Sequence, residues 1–182
     1  HNLGVAPEMI WIKKRSGSNN WKTFHSSIGA TKSMELNTTV EAETNGSALF
    51  NSTAPTASVF TVGSAGDVNS SSHTYIAYLF ATAAGVSKVG TFTQSGATNV
   101  DCGFSGSTPA FVLLKRYDST GDWVIFDSVR GIASGNDTSQ LLNESDAEVS
   151  NTDLIDPYSG GFATTSNITN GDYIFYAIAA IS

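Results

Sequence analysis

The chain has 182 residues, a formal net charge of −7 and a pI near 4.7, and only 14% of its residues are charged. This length suits one β-domain with a substantial core. The acidic balance argues against a nucleic-acid partner, because such a protein presents a basic face to phosphate. Ser, Thr, Asn and Gly fill the gaps between apolar runs, which is typical of an extracellular or virion protein, and this is the predicted location.

Short apolar runs rich in Val, Ile, Phe, Tyr and Trp, bounded by turn-forming residues, predict an all-β chain. No stretch approaches the roughly 20 apolar residues of a membrane-spanning helix, so membrane insertion is not expected. In chain order the predicted strands are 8–14, 20–25, 33–37, 57–62, 73–81, 87–93, 98–104, 110–116, 121–128, 139–143, 160–165 and 172–180.

The first part of the chain returns in the second. Residues Ala6–Lys14 correspond to Thr108–Arg116, the same alignment places Trp21 on Trp123 without a gap, and Tyr75–Tyr78 match Tyr173–Tyr176. A repeat of this kind predicts a two-sheet β-sandwich, jelly-roll or concanavalin-like, built by internal duplication. We expect one domain over 1–182, with repeats at about 7–81 and 109–180 joined by strands in 85–104. The repeat leaves open whether the halves form one sandwich or two.

The first residue of the chain and its single cysteine are also informative. The chain starts at His1 rather than Met, inside what reads as a loop before the first strand, so we expect a processed form or a segment of a longer protein. Cys102 is the only cysteine of the sequence, which excludes an intrachain disulfide.

Four of the predicted strands are apolar on both faces rather than alternating. Such runs predict cover on the second face from a long loop, a sister domain or another subunit. Another subunit is favoured, because long exposed apolar strands otherwise invite aggregation. The sequence therefore predicts a homo-oligomer. The runs are Met9–Ile12, Tyr75–Phe80, Phe111–Leu114 and Tyr173–Ile178.

Two tryptophans are candidates for binding sugar. Trp21 and Trp123 each precede a Phe by three residues, so in a regular strand the Trp and the Phe lie on opposite faces. An exposed Trp ring stacks on the C–H side of a sugar, while neighbouring amides and carboxylates bond its hydroxyls. The alternative is that the duplicated Trp belongs to a core or interface. The predicted carbohydrate-binding residues are Trp21, Asn20, His25, Trp123, Asp122 and Asp127.

Basic residues close equivalent strands of the two repeats, as Lys13-Lys14 and Lys115-Arg116. They fit a basic spot for an acidic sugar or for a carboxylate of a neighbouring subunit. They also fit long side chains that reach solvent at the end of an apolar strand, which is the favoured interpretation.

Metal binding and catalysis receive less support. Asp118 and Asp122, with Asp127, supply the hard oxygen ligands that Ca²⁺ prefers. Their counterparts Ser16, Asn20 and His25 could not form the same site, and a solvated acidic turn is the default. No cofactor is therefore predicted. The chain has no His-Glu-x-x-His, Gly-x-Ser-x-Gly or phosphate-cradling motif, so it is not expected to be an enzyme. A glycosidase needs only a pair of carboxylates, which keeps that alternative open.

Several of these motifs resemble a known module. The pattern His-x-Leu-Gly-x-x-Pro-x-Met-Ile-x-x-Lys over 1–13 is similar to a repeated β-module of structural proteins of tailed phages, including marine and cyanobacterial ones. The second half resembles the same module. The further residues that carry the resemblance are Asn20-Trp21, Gly29-Ala30-Thr31-Lys32, Leu36-Asn37, Tyr75-Ile76-Ala77-Tyr78, Gly85 to Gly90, Gly103-Phe104, Pro109 to Arg116 and Gly121-Asp122-Trp123.

The resemblance implies a role rather than a site. It implies a non-enzymatic virion structural protein from a tail fibre, an appendage or the capsid exterior, with other virion proteins as partners and a host surface glycan as a candidate ligand. Three alternatives stay open: a carbohydrate-binding module in its own right, a secreted bacterial adhesin or filament subunit, and a tail-associated glycan hydrolase.

Overall fold

A computed structural model describes residues 1–180, and every regular element in it is a β-strand, which confirms the all-β prediction. Within that range no helix is long and apolar enough to cross a membrane. The strands are β1 (Met9–Lys14), β2 (Lys22–His25), β3 (Lys32–Glu35), β4 (Glu43–Thr44), β5 (Tyr75–Phe80), β6 (Ser87–Gln94), β7 (Thr98–Asp101), β8 (Pro109–Arg116), β9 (Trp123–Asp127), β10 (Asp137–Leu141), β11 (Val149–Thr152), β12 (Ile155–Tyr158), β13 (Gly161–Thr164) and β14 (Gly171–Ala179).

The chain divides into two compact units, a first unit over His1–Ala81 and a second unit from Thr82 onward. The first unit contains a 5-stranded antiparallel sheet in the order β4-β3-β2-β1-β5. The second unit contains a 6-stranded sheet in the order β11-β10-β9-β8-β14-β6 and a 3-stranded sheet in the order β12-β13-β7. The segment 85–104, predicted to join the repeats, thus supplies β6 and β7, which pair with β14 and β13.

The core of the second unit lies between its two sheets. Val112 and Phe175 of the large sheet share one cluster of buried side chains with Ile155 and Phe162 of the small sheet. The rings of Phe162 and Phe175 meet edge to face with centroids 5.5 Å apart. Because alternate side chains of a strand point to opposite faces, each sheet contributes one face to this core, and the unit has sandwich-like layers.

In the first unit, turns and loops cover one face of the sheet. Ile10 and Phe24 lie on one face of the sheet and pack with Leu49 and Phe50, which belong to a turn segment. The prediction of a strand over 57–62 is wrong, because this segment is also a loop that packs on the sheet. The N–H of Thr56 donates to the carbonyl of Val59 at 2.8 Å, and the side chains of this segment cover the core from a loop. In this segment the apolar residues indicate that the side chains are buried, but not that the backbone pairs with another strand.

Pairing registers coincide at positions that the sequence repeat aligns. In the first unit Ile10 pairs with Phe24 and Ile12 with Ala77, whereas in the second unit Val112 pairs with Phe126 and Leu114 with Phe175. The strand orders β4-β3-β2-β1-β5 and β11-β10-β9-β8-β14 correspond element by element. The second unit adds β6 at the outer edge of β14.

Strands that are apolar on both faces are for the most part buried on both faces within the one chain. The consecutive residues Met9 and Ile10 are 1% and 0% exposed, and Leu113 and Leu114 are each 2% exposed. β5 differs, because Ile76 is 38% and Tyr78 45% exposed. Among these four strands, β5 is therefore the one that leaves large apolar side chains exposed.

Candidate functional site

Trp123 lies in the protein interior. Its side chain is 0% exposed, and the Nζ of Lys115 lies 6.0 Å from the centre of its ring. Phe126, also 0% exposed, belongs to the core on the opposite face of β9. A ring that is buried on both faces offers no platform for a sugar, so Trp123 has the core position that the alternative interpretation gives it.

Trp21, by contrast, is only half-buried. Its ring stacks on that of Tyr78, with centroids 6.2 Å apart and planes inclined by 27°. Tyr78 is exposed. We call Trp21 and Tyr78 the aromatic pair. Trp21 is the predicted sugar-binding residue that retains an open aromatic surface, whereas Tyr78 was not among the predicted residues.

The amides and carboxylates near the tryptophans stabilise strand ends. Asn37 accepts the backbone N–H of Trp21 at 2.8 Å and donates from Nδ2 to Oδ1 of Asn20 at 2.9 Å. In the second unit Asn143 accepts the N–H of Trp123 at 2.7 Å and donates to Oδ1 of Asp122 at 2.8 Å. Asn20 and Asp122 are thus held by an asparagine that the sugar prediction missed. The sequence signal for it is the dipeptide Leu-Asn, which occurs at 36–37 in the first repeat and again at 142–143 in the second.

Removing either asparagine is expected to destabilise the protein. Asn143→Ala leaves the part-buried N–H of Trp123 without its acceptor, which costs about 1–2 kcal/mol, whereas Asn37→Ala costs less because its bond is exposed and water replaces the acceptor. Urea titration of each variant against wild type measures this loss. Asn2→Ala is the matched control, since Asn2 is exposed. An Asn143→Ala midpoint equal to those of the wild type and of Asn2→Ala would contradict the structural role.

The first lysine of each basic pair turns to its own hairpin. Lys13 Nζ donates to the carbonyl of Asn19, and Lys115 Nζ donates to the carbonyl of Gly121 at 2.5 Å. Lys115 is 0% exposed. The favoured interpretation, in which these side chains reach solvent, is therefore wrong for Lys115. A buried ammonium requires acceptors, and the hairpin supplies one in the carbonyl of Gly121.

His25 and Asp127, which occupy aligned positions, have different environments. His25 is 0% exposed, and burial lowers its pKa to about 4 although Glu8 acts in the opposite direction. Its Nε2 has no hydrogen-bond partner among residues 1–180. Asp127 accepts the backbone N–H groups of Val129 and Arg130 at 3.0 and 2.9 Å, and these bonds, with the Arg130 guanidinium, lower its pKa. The first residue lies in the interior and the second closes a turn.

The carboxylates considered for Ca²⁺ have protein partners. Asp118 accepts a hydrogen bond from Nε of Arg116 at 2.7 Å, which lowers the pKa of Asp118, and Asp122 accepts from Asn143. In the described part of the chain no group of three or more His, Cys, Asp or Glu side chains is placed to hold a metal ion.

Each unit has a cleft beside its central strands. The cleft of the second unit measures about 330 Å³ and is of mixed character, with Leu114, Arg116 and Tyr173 in its lining. The cleft of the first unit measures about 350 Å³ and is apolar. Ile12 and Tyr75 in the first cleft align in the repeat with Leu114 and Tyr173 in the second. The full apolar lining is Ile12, Phe60, Val62, Val68, Tyr75 and Ala77.

Comparison with known proteins locates the chain in a family. No curated protein matches it, and no solved structure matches it. A family model described as a domain of unknown function (DUF7483) matches residues 1–181. Since this match spans nearly the whole sequence, the chain belongs to the DUF7483 family.

Proposed function

We propose that this chain is a non-enzymatic structural module of a tailed-phage virion, from a tail fibre, an appendage or the capsid exterior. It assembles with copies of itself and with other virion proteins. The observation that carries the proposal is the engagement of the conspicuous polar side chains in strand-end hydrogen bonds. Lys115, Asn143 and Asp122 bond within their own hairpin and its neighbour, as Lys13, Asn37 and Asn20 do. A reactive site needs such groups available to a ligand.

Internal duplication is part of the proposal. The coincident strand orders and registers of β1 with β5 and β8 with β14 support it. So does the recurrence of the asparagine contact, in which Leu36 and Leu142 also donate N–H groups to the carbonyls of Trp21 and Trp123. We further propose that the fold is a β-sandwich of the jelly-roll or concanavalin-like type. The sequence motifs that resemble the phage module support its place in a virion.

Binding of host glycans is a second candidate function. The aromatic pair favours it, because the rings of Trp21 and Tyr78 stack on each other and both are partly open to solvent. Open aromatic faces are suited to the apolar C–H side of a sugar. In a virion this surface would contribute to host attachment.

The mass of the purified chain in solution tests the structural proposal. Light scattering, with and without surface polysaccharides of a host, is expected to give a discrete oligomer. A monomer that is indifferent to every polysaccharide would contradict both assembly and attachment.

Trp21→Ala is expected to abolish any change in tryptophan fluorescence that a polysaccharide causes in the wild type. The reason is that Trp123 is buried and cannot contact added sugar, and Trp11 packs on Phe80 with its indole nitrogen buried, whereas Trp21 is partly open. Fluorescence titration measures the response. Tyr158→Ala is the matched control, because Tyr158 is an exposed aromatic residue of the second unit. A polysaccharide response that survives Trp21→Ala would contradict the assignment to the aromatic pair.

A further inference from the structure

β5 is an edge strand that lacks the neighbour its counterpart has. In the second unit β14 lies between β8 and β6, and Phe175 pairs with Gly90 of β6. In the first unit β1 covers one side of β5, and no described strand pairs with the other side. Residues 75–80 include no charged residue and no proline, which are the usual protections of an edge. The β5 edge is therefore competent to receive a further strand.

The unpaired backbone groups of this edge can be assigned. In an antiparallel pair, residues that exchange hydrogen bonds alternate along the strand. Arg15 donates its N–H to the carbonyl of Thr74 at 2.9 Å, so by alternation Ile76 and Tyr78 direct their backbone groups to β1. Tyr75, Ala77 and Leu79 then direct theirs to the outer edge. Their side chains pack on the core side of the sheet.

The apolar cleft of the first unit lies on the same side of this edge. Tyr75 and Ala77 line it together with Ile12. In the second unit the aligned region is filled by aromatic rings: Phe92 of β6 stacks on Tyr173 at 5.4 Å, and Phe175 stands where the first unit has Ala77. A Cβ on Gly90 would lie 2.7 Å from the Phe175 ring, so β6 fits closely against it. The first unit thus has space where the second has a sixth strand and its side chain.

We propose that β5 pairs antiparallel with β5 of a second copy of this chain, about a twofold axis that places Ala77 opposite Ala77 of the second copy. The outward groups of residues 75, 77 and 79 then bond across the interface, with Tyr75 opposite the second copy's Leu79. The proposal rests on the proposed function, since it names the surface through which the module assembles.

The self-complementarity of this register favours a second copy over an unrelated strand. The pairing places each exposed Ile76 opposite the second copy's exposed Tyr78, and aromatic pairs with β-branched residues stabilise antiparallel strands. On the cleft side it places the second copy's Leu79 beside Tyr75, as Phe92 lies beside Tyr173. The β5 strand of each copy therefore supplies three things to the other: backbone hydrogen bonds, the contact between Ile76 and Tyr78, and the Leu79 side chain that lies in the cleft.

Cysteine cross-linking tests the register. Opposite residues that exchange hydrogen bonds lie about 5.5 Å apart between Cα atoms, which a disulfide can span. Ala77→Cys is expected to form covalent dimers under mild oxidation. Ile76→Cys is the matched control, because the two copies of Ile76 are diagonal neighbours about 7–8 Å apart, a distance that a disulfide spans only with backbone movement, so they link more slowly. The native Cys102 does not interfere, since it is buried and burial raises its pKa to about 12.

Sedimentation of Tyr78→Lys provides the second measurement, with circular dichroism as a check of the fold. A dimer that becomes monomeric in Tyr78→Lys, together with fast cross-linking of Ala77→Cys, supports the proposal. An oligomer in which Ala77→Cys links no faster than Ile76→Cys overturns the β5 interface and leaves the structural function standing. A monomer whose fluorescence still responds to glycan overturns the interface and leaves attachment standing. A monomer that ignores glycan overturns both.

Discussion

Trp123→Ala is expected to destabilise the second unit by about 3–5 kcal/mol, the usual cost of truncating a large buried aromatic side chain. The ring is 0% exposed, and Lys115 beside it is buried as well. The substitution leaves a cavity and removes a ring that contacts a buried ammonium, which then has fewer favourable neighbours. An effect of this size is a large fraction of the stability of an ordinary domain.

Urea or thermal unfolding followed by circular dichroism measures this loss. Trp21→Ala is the matched control, because Trp21 occupies the aligned position in the first unit and is only half-buried. The structure predicts a clearly larger destabilisation for Trp123→Ala. Equal midpoints for the two variants would contradict the assignment of Trp123 to the interior and would reopen it as a binding residue.

Acid is expected to destabilise the first unit through His25. Burial lowers the pKa of His25 from 6.5 to about 4 in the folded protein, so between these values the unfolded chain binds a proton that the folded chain does not. Stability therefore falls as the pH decreases from 6.5 to about 4, and it is fully retained above 6.5. A displacement of this size corresponds to about 3 kcal/mol.

His25→Leu is expected to remove this part of the acid sensitivity. The measurement is the urea midpoint of the wild type and the variant at a series of pH values across that window. His73→Leu is the control, because His73 is exposed and bonds Ser16 at the surface. A wild-type midpoint that does not change across the window, or one that falls equally in His25→Leu, would show that His25 is not buried in its neutral form.

The sequence predicts the strands well where apolar runs and repeats coincide. The pairs β1 with β2 and β8 with β9 could be predicted, since the runs and their turn residues match in both copies. The strand β12 could not, because its four residues include Pro157 and carry little apolar pattern. It forms because β13 pairs with it, and Ile155 is buried against the core of the second unit. Tertiary packing overrides local preference at this strand.

The candidate site shows a different limit of sequence reasoning. Alternation correctly placed Trp123 and Phe126 on opposite faces of β9, but it could not show that both faces are buried. The same pattern in the first unit leaves Trp21 half-exposed beside Tyr78. The roles of polar residues were also hard to predict. Lys115 and Asn143 bond backbone groups that lie 6 and 20 residues away in the chain, and no residue pattern indicates these partners.

Sedimentation equilibrium of the wild-type chain over a range of concentrations tests the proposal that the molecule assembles through the exposed strand β5. The structure predicts a reversible dimer whose mass falls to that of one chain in Tyr78→Lys, while the circular dichroism spectrum is unchanged. A wild-type chain that sediments as a monomer at every concentration would contradict the claim.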